Sequence, residues 1–105
     1  MAFVGDIRSA TIDSAAGGNL TIVAAVPGKR ILVFGYVIVA SGAVTVQWKS
    51  GTNLLTGAMA LAANGGLVVV GPPDTMMLAT NVGEALILTP GGATQVSGHV
   101  MYGVH

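Results

Sequence analysis

The sequence predicts an all-β domain, an antiparallel β-sandwich of jelly-roll type with eight or nine short strands. Two observations carry that expectation. The first is punctuation: 16 of the 105 residues are glycine, often paired or beside Asn, Ser or Pro. Gly17-Gly18-Asn19, Pro27-Gly28-Lys29, Ser41-Gly42, Ser50-Gly51-Thr52-Asn53, Asn64-Gly65-Gly66, Gly71-Pro72-Pro73-Asp74, Asn81-Val82-Gly83 and Pro90-Gly91-Gly92 all read as turns. Their spacing of roughly 8–12 residues is the rhythm of a sandwich or barrel. The second is composition between the turns, where Val, Ile and Leu dominate and extended chain is preferred.

Taken in order, residues 1–16 (MAFVGDIRSATIDSAA) hold three of the eight charges and end at the Gly17-Gly18 break. They are expected to be an N-terminal arm or an edge strand, set apart from a sandwich domain of residues 17–105. As an arm they would reach a neighbouring subunit, with Met1, Ala2, Phe3 and Val4 as the anchor. Strands are expected near residues 7–13, 19–25, 30–40, 43–50, 54–61, 67–70, 75–79, 85–89 and 94–104. Residues 54–63 are the exception in composition, since Leu, Ala and Met favour helix. Gly57 in the middle opposes it.

Alternation assigns faces. In residues 43–50, Val44, Val46 and Trp48 alternate with Thr45, Gln47 and Lys49, the mark of a strand with one wet side. In the last strand Val96, Val100, Tyr102 and Val104 oppose Gln95, Ser97, His99 and Met101. Residues 30–40 break the pattern. With a strict period of two, Ile31, Val33, Val37 and Val39 share one face, while Leu32, Phe34, Tyr36 and Ile38 share the other. Only one of these can point into a two-sheet core. The second set, Leu32, Phe34, Tyr36 and Ile38, is therefore the candidate oligomer interface, because a large apolar patch on a small domain usually marks a contact. The competing explanation is that the N-terminal stretch folds back over it.

Composition narrows the class of function. Charged residues make up 8% of the chain, against about 25% in an ordinary soluble domain. Cys is absent, which removes a disulfide scaffold. Net charge is zero, with four basic and four acidic residues scattered singly, so no basic stripe exists to bind nucleic acid. The run Ile31–Val46 falls short of the ~20 apolar residues of a membrane helix and carries Ser41-Gly42 at its centre. No membrane partner is expected, and the N-terminus lacks the basic start of a signal peptide.

Catalysis is not expected. The serines have only His99 and His105 as possible bases, both at the end of the chain, and no nucleophile elbow is present. Asp6, Asp13, Asp74 and Glu84 stand alone at arms or turns rather than as a pair flanking a cleft. His99 and His105 share a strand face six residues apart, which is a poor metal site without further ligands. A ring of His99 side chains around a trimer axis is the sharper alternative. Pro27-Gly28-Lys29-Arg30 lacks the spacing of a phosphate loop and reads as a hairpin turn. Asn19-Leu20-Thr21 matches a glycosylation acceptor, a motif frequent by chance. Trp48, in step with the core valines, is expected inside the fold. No cofactor and no catalytic or metal residue is assigned.

Several segments nonetheless resemble a known group. Lys49-Ser50-Gly51, Leu55-Thr56-Gly57-Ala58-Met59-Ala60-Leu61, Asn64-Gly65-Gly66, Gly83-Glu84-Ala85-Leu86-Ile87-Leu88 and the closing Gly98-His99-Val100-Met101-Tyr102 are similar to small virion proteins of tailed bacteriophages and prophages. The likeness spans residues 28–105. It implies a structural jelly-roll protein that sits as a homotrimer on the capsid as decoration or cement. The implied partners are other copies of itself and the major capsid protein, and the implied location is the virion surface after synthesis in the bacterial cytoplasm. Met1, Phe3, Val4 and Arg8 would then be the capsid-contact arm. The alternative is a tail, fibre or baseplate module that recognises a cell-surface glycan.

Overall fold

The structure, a computed structural model, describes residues 7–70 and 76–105. Ten strands follow one another: β1 (Arg8–Ser14), β2 (Leu20–Val23), β3 (Ile31–Ala40), β4 (Val44–Ser50), β5 (Asn53–Leu54), β6 (Met59–Leu61), β7 (Gly66–Val70), β8 (Leu78–Ala79), β9 (Leu86–Pro90) and β10 (Val96–Val104). They form two antiparallel sheets. Sheet A has the order β1-β10-β3-β7, with β8 also on β3; sheet B has the order β2-β9-β4-β5, with β6 also on β4.

Successive strands mostly change sheet, so β5 with β6 and β7 with β8 each act as one interrupted strand. Counted that way, eight strands interleave first-eighth-third-sixth and second-seventh-fourth-fifth, which is the double Greek key of a jelly roll. The expected fold class is the observed one. Asp74 and the turn Gly71-Pro72-Pro73-Asp74 lie outside the described residues, as do Met1, Phe3, Val4 and Asp6 of the leading segment.

The core sits between the sheets and follows the alternation. Val44, Val46 and Trp48 of β4 meet Val96 and Val100 of β10, Leu86 and Leu88 of β9, and Ile12 of β1. Tyr36 and Trp48 come from opposite sheets and pack edge to face, centroids 5.2 Å apart and planes at 61°. Burial raises the pKa of the Tyr36 hydroxyl; the Trp48 indole opposes that rise without reaching hydrogen-bond geometry. Among the described residues Trp48 Nε1 is the buried side-chain polar atom left without a hydrogen-bond partner.

Strand β3 departs from strict alternation, and the reason is a bulge. Its register with β10 runs Met101↔Gly35 and then Tyr102↔Val33, so Phe34 has no residue opposite it. One extra residue reverses the parity of everything beyond it. Ile31 and Val33 point inward before the bulge, and Tyr36, Ile38 and Ala40 point inward after it. The outer side is thus Leu32 and Phe34, followed by Val37 and Val39. Gly35, the one residue without a side chain in ILVFGYVIVA, sits at the slip, where a Cβ would lie 2.8 Å from the Val69 carbonyl oxygen.

Residues 54–63, the helix-compatible stretch, form no helix. β5 and β6 both pair with β4, and the gap between them is bridged by Thr56. Its hydroxyl accepts from the Trp48 N–H (3.0 Å), while the N–H groups of Leu55 and Thr56 donate to the Trp48 carbonyl (2.8 and 3.3 Å). A side chain there replaces a missing ladder partner. Val26–Lys29 closes with a Lys29 N–H bond to the Val26 carbonyl, with Pro27 and a positive-φ Gly28 at its centre, as a type II turn requires. It carries the chain from sheet B to sheet A, so it is an inter-sheet turn and not the hairpin expected.

Candidate assembly surface

The proposed interface set does not lie on one surface. Tyr36 is 4% exposed and Ile38 0%, both in the main core. Leu32 and Phe34, on the other side of β3, are each 7% exposed and form a small separate cluster with Ala79 of β8. The bulge at Phe34 splits the four, because a strict two-residue period cannot be carried across it. Conversely Val37 and Val39, assigned inward by that period, face outward.

What takes their place is a flank built by β3, β7 and β8. Register sets Val37 beside Val68, and Gly35 beside Val70. Val68 and Val70 are each 66% exposed and Val39 47%. Leu67 and Val69, the alternate residues of β7, pack on the core instead. Met76 and Met77 extend the exposed apolar run along the same edge, where the Met77 N–H donates to the Val33 carbonyl (2.6 Å). Among the described residues of this flank there is no charged side chain. Further across sheet A the outer side turns polar, through His99 and Ser97 of β10 and Ser9, Thr11 and Asp13 of β1.

Of the leading segment, the described strand Arg8–Ser14 does not roof the flank. Arg8–Ser14 pairs along β10, on the far edge from β7. Arg8 is exposed and stands opposite Tyr102.

The polar residues act as fasteners. Ser50 is buried at the end of β4; its hydroxyl donates to Glu84 Oε1 (2.6 Å) and accepts from the Asn81 N–H (2.8 Å). Asn81 Nδ2 donates to the same carboxylate oxygen (3.0 Å). The Ser50 hydroxyl first, and the Asn81 amide second, hold the Glu84 carboxyl below its usual pKa. Thr80 is tied to Ile31 through both its hydroxyl and its backbone N–H. This end of the sandwich is stapled, and Ser50-Gly51 and Gly83-Glu84 are the two halves of the staple. Thirty-four residues separate them, so neither half signals the other in the sequence.

Other polar groups serve likewise. Asn19 Oδ1 accepts from Thr89 (2.8 Å) and Lys49 (3.4 Å), and Asp13 accepts from Gln95 (2.6 Å). His99 is exposed in mid-sheet between Thr11 and Val37, and the His105 N–H donates to the Arg30 carbonyl. Among the described residues no group of three His, Cys, Asp or Glu could hold a metal ion. No helix among them is long and apolar enough to cross a membrane. Trp48 is buried and offers no stacking platform to a sugar.

The fold and this surface define a jelly-roll protein whose most distinctive feature is an apolar flank. No protein-family model and no curated protein matches the sequence. Among solved structures, a chain of the Bacillus endospore appendages, described as a novel family of disulfide-linked pili, has the same fold. The two superpose with a TM-score of 0.53, over 94% of this chain and 84% of that one, at 16% identity.

Proposed function

We propose that this chain is a structural subunit of a multi-copy protein assembly and does no catalysis. The observation that carries the reading is the charge-free flank of Val37, Val39, Val68 and Val70 beside a strand edge that no other described strand pairs. Such a surface on a small domain is suited to contact with other protein. More narrowly, the role proposed is decoration or cement on the head of a tailed phage, with the major capsid protein and further copies of this chain as partners. Support for that step is the likeness of residues 49–66, 83–88 and 98–102 to small virion proteins. The motif residues themselves, Ser50, Thr56, Asn64 and Glu84, build turns and staples, which fits a module selected for shape. The work would be mechanical: many copies bridging shell subunits each add a little contact free energy, and the sum resists rupture.

A filament subunit is the second reading, supported by the fold shared with the spore-appendage pilus chain. Linkage by disulfides is closed to this chain, which has no cysteine. Addition of the pure protein to phage capsids lacking their decoration separates the two. Binding that raises the melting temperature of the shells supports cement. Filaments seen by electron microscopy, with no capsid binding, move the assignment to an appendage. Selective signals on a glycan array with neither outcome move it to surface recognition.

A further inference from the structure

We infer that β7 is the strand through which two copies of this chain meet, antiparallel and about a two-fold axis close to Val68. The inference rests on the structural-subunit reading and names its partner and its first contact.

The backbone supplies the first argument. The Ala40 N–H donates to the Gly65 carbonyl (2.9 Å), one step beyond the Val39↔Gly66 pair in the same register. In an antiparallel ladder, directly opposed residues alternate between bonded and unbonded pairs. Ile38/Leu67 and Tyr36/Val69 are therefore bonded pairs, and Leu67 and Val69 turn their peptide groups toward β3. Gly66, Val68 and Val70 turn theirs away, to the open edge. The residues whose backbone meets no partner strand among the described residues are the ones whose side chains, Val68 and Val70, stand on the outer flank. Natural edges are guarded by lysine, proline or a bulge; Gly66–Val70 (GLVVV) has none of these.

Polarity selects the occupant. Sheet A has two edges, and the other is β1, with Arg8 and Asp13 and an outer side of Ser9, Thr11 and Asp13. Pairing β7 with β1 of another copy would set Val68 and Val70 beside those polar groups. Pairing β7 with itself about Val68 sets Val68 against Val68 and Val70 against Gly66 of the other copy, and a charge-free strand meets no like-charge repulsion across a two-fold axis. Area sets the strength. The exposed fractions of Val39, Val68, Val70, Met76 and Met77 amount to nearly three whole side chains. At about 100 Å² each, two copies bring together roughly 500–600 Å² of apolar surface. With the strand backbone added, the contact stays below about 1,200 Å², the range of weak, reversible association. It tightens when copies are already held side by side on a larger body.

Because the chain has no cysteine, a single thiol reports on this contact without background. A bonded antiparallel pair holds its Cα atoms about 5.5 Å apart, within disulfide reach. Val68→Cys, oxidised mildly at high protein concentration, is expected to give a covalent dimer. Thr11→Cys, on the outer side of the far edge, is expected to stay largely uncrosslinked. In sedimentation, Val68→Lys is expected to lose the dimer present in the unmodified chain while keeping its β-sheet circular dichroism. Equal crosslinking of the two cysteine variants, an unchanged mass for Val68→Lys, or an odd-numbered closed ring overturns the β7 contact. If the unmodified chain assembles or binds capsids while Val68→Cys stays uncrosslinked, that contact alone is wrong. If it does neither, the structural-subunit reading falls with it.

Discussion

The outer sides of the two sheets use the same alternation and end in different surfaces. On sheet B the outward positions of β4 are Thr45, Gln47 and Lys49, joined by Thr21 and Thr89, and Asn19 links Lys49 to Thr89 across the strands. On sheet A the outward positions of β3 and β7 are Val37, Val39, Val68 and Val70. Sheet B leaves its polar side chains on the surface or bonded to one another. The outward side chains of β3 and β7 carry no such groups, so desolvating them costs little. On the proposed reading, that difference marks which side of the sandwich meets other protein.

The largest test of this comparison strikes the frame of sheet A. Gly98 lies in β10 with φ +152°, and a Cβ there would overlap the Val37 carbonyl. Gly98→Ala is expected to lose about 3 kcal/mol or more in urea unfolding, as backbone clashes in a core do. Gly57, on the sheet B side, has open space around it; Gly57→Ala is expected to be neutral or to gain up to about 1 kcal/mol. Comparable losses for both would show that the sheets do not differ in this way.

Next in size is the staple at the end of β4. Ser50→Ala leaves the Asn81 N–H and the Glu84 carboxylate without their shared partner, with an expected loss of about 1–3 kcal/mol. A smaller effect is pH dependence. The folded state lowers the pKa of Glu84, so its contribution is present above the ordinary carboxylate range and is lost as pH falls through the lowered value. Thermal midpoints between neutral and acid pH should therefore drop less in Glu84→Gln than in the unmodified chain. An identical drop would remove Glu84 from the account.

The smallest expected effect on stability comes from exchanging the two surfaces. Val39→Thr and Gln47→Val should each change the unfolding free energy by no more than about 0.5 kcal/mol. Light scattering at rising concentration should nonetheless separate them. Val39→Thr is expected to weaken self-association, and Gln47→Val to leave the original contact intact. If neither changes association, the flank is not where copies meet.

Much of the fold was legible in the chain. Among the described residues the turns fell at the glycine clusters, β4 and β10 showed their inward residues by alternation, and Trp48 was placed inside by its step with Val44 and Val46. The surface was legible only in kind. An apolar run such as ILVFGYVIVA fits either parity, so the strict period misassigned Tyr36, Ile38, Val37 and Val39. The signal for the slip was present in Gly35, since an isolated glycine inside a strand often marks a bulge. The Ser50–Glu84 and Thr80–Ile31 bonds join residues dozens of positions apart, and no local pattern encodes such meetings. Thr56 was hidden for another reason: a side chain standing in for a ladder bond looks, in sequence, like any loop threonine.

The extra residue in β3 also determines where the chain tolerates a change in length. Deleting residue 34 would give the strand an unbroken rhythm that keeps Ile31, Val33, Tyr36 and Ile38 on the inner side, whereas deleting a residue beyond the bulge, at Val37, would turn Ile38 outward and Val39 inward. Loss of one residue from the Ser41-Gly42 turn threatens no such inversion. Mutational histories of this gene should therefore record indels at its bends and at the bulge rather than in the second half of its longest strand.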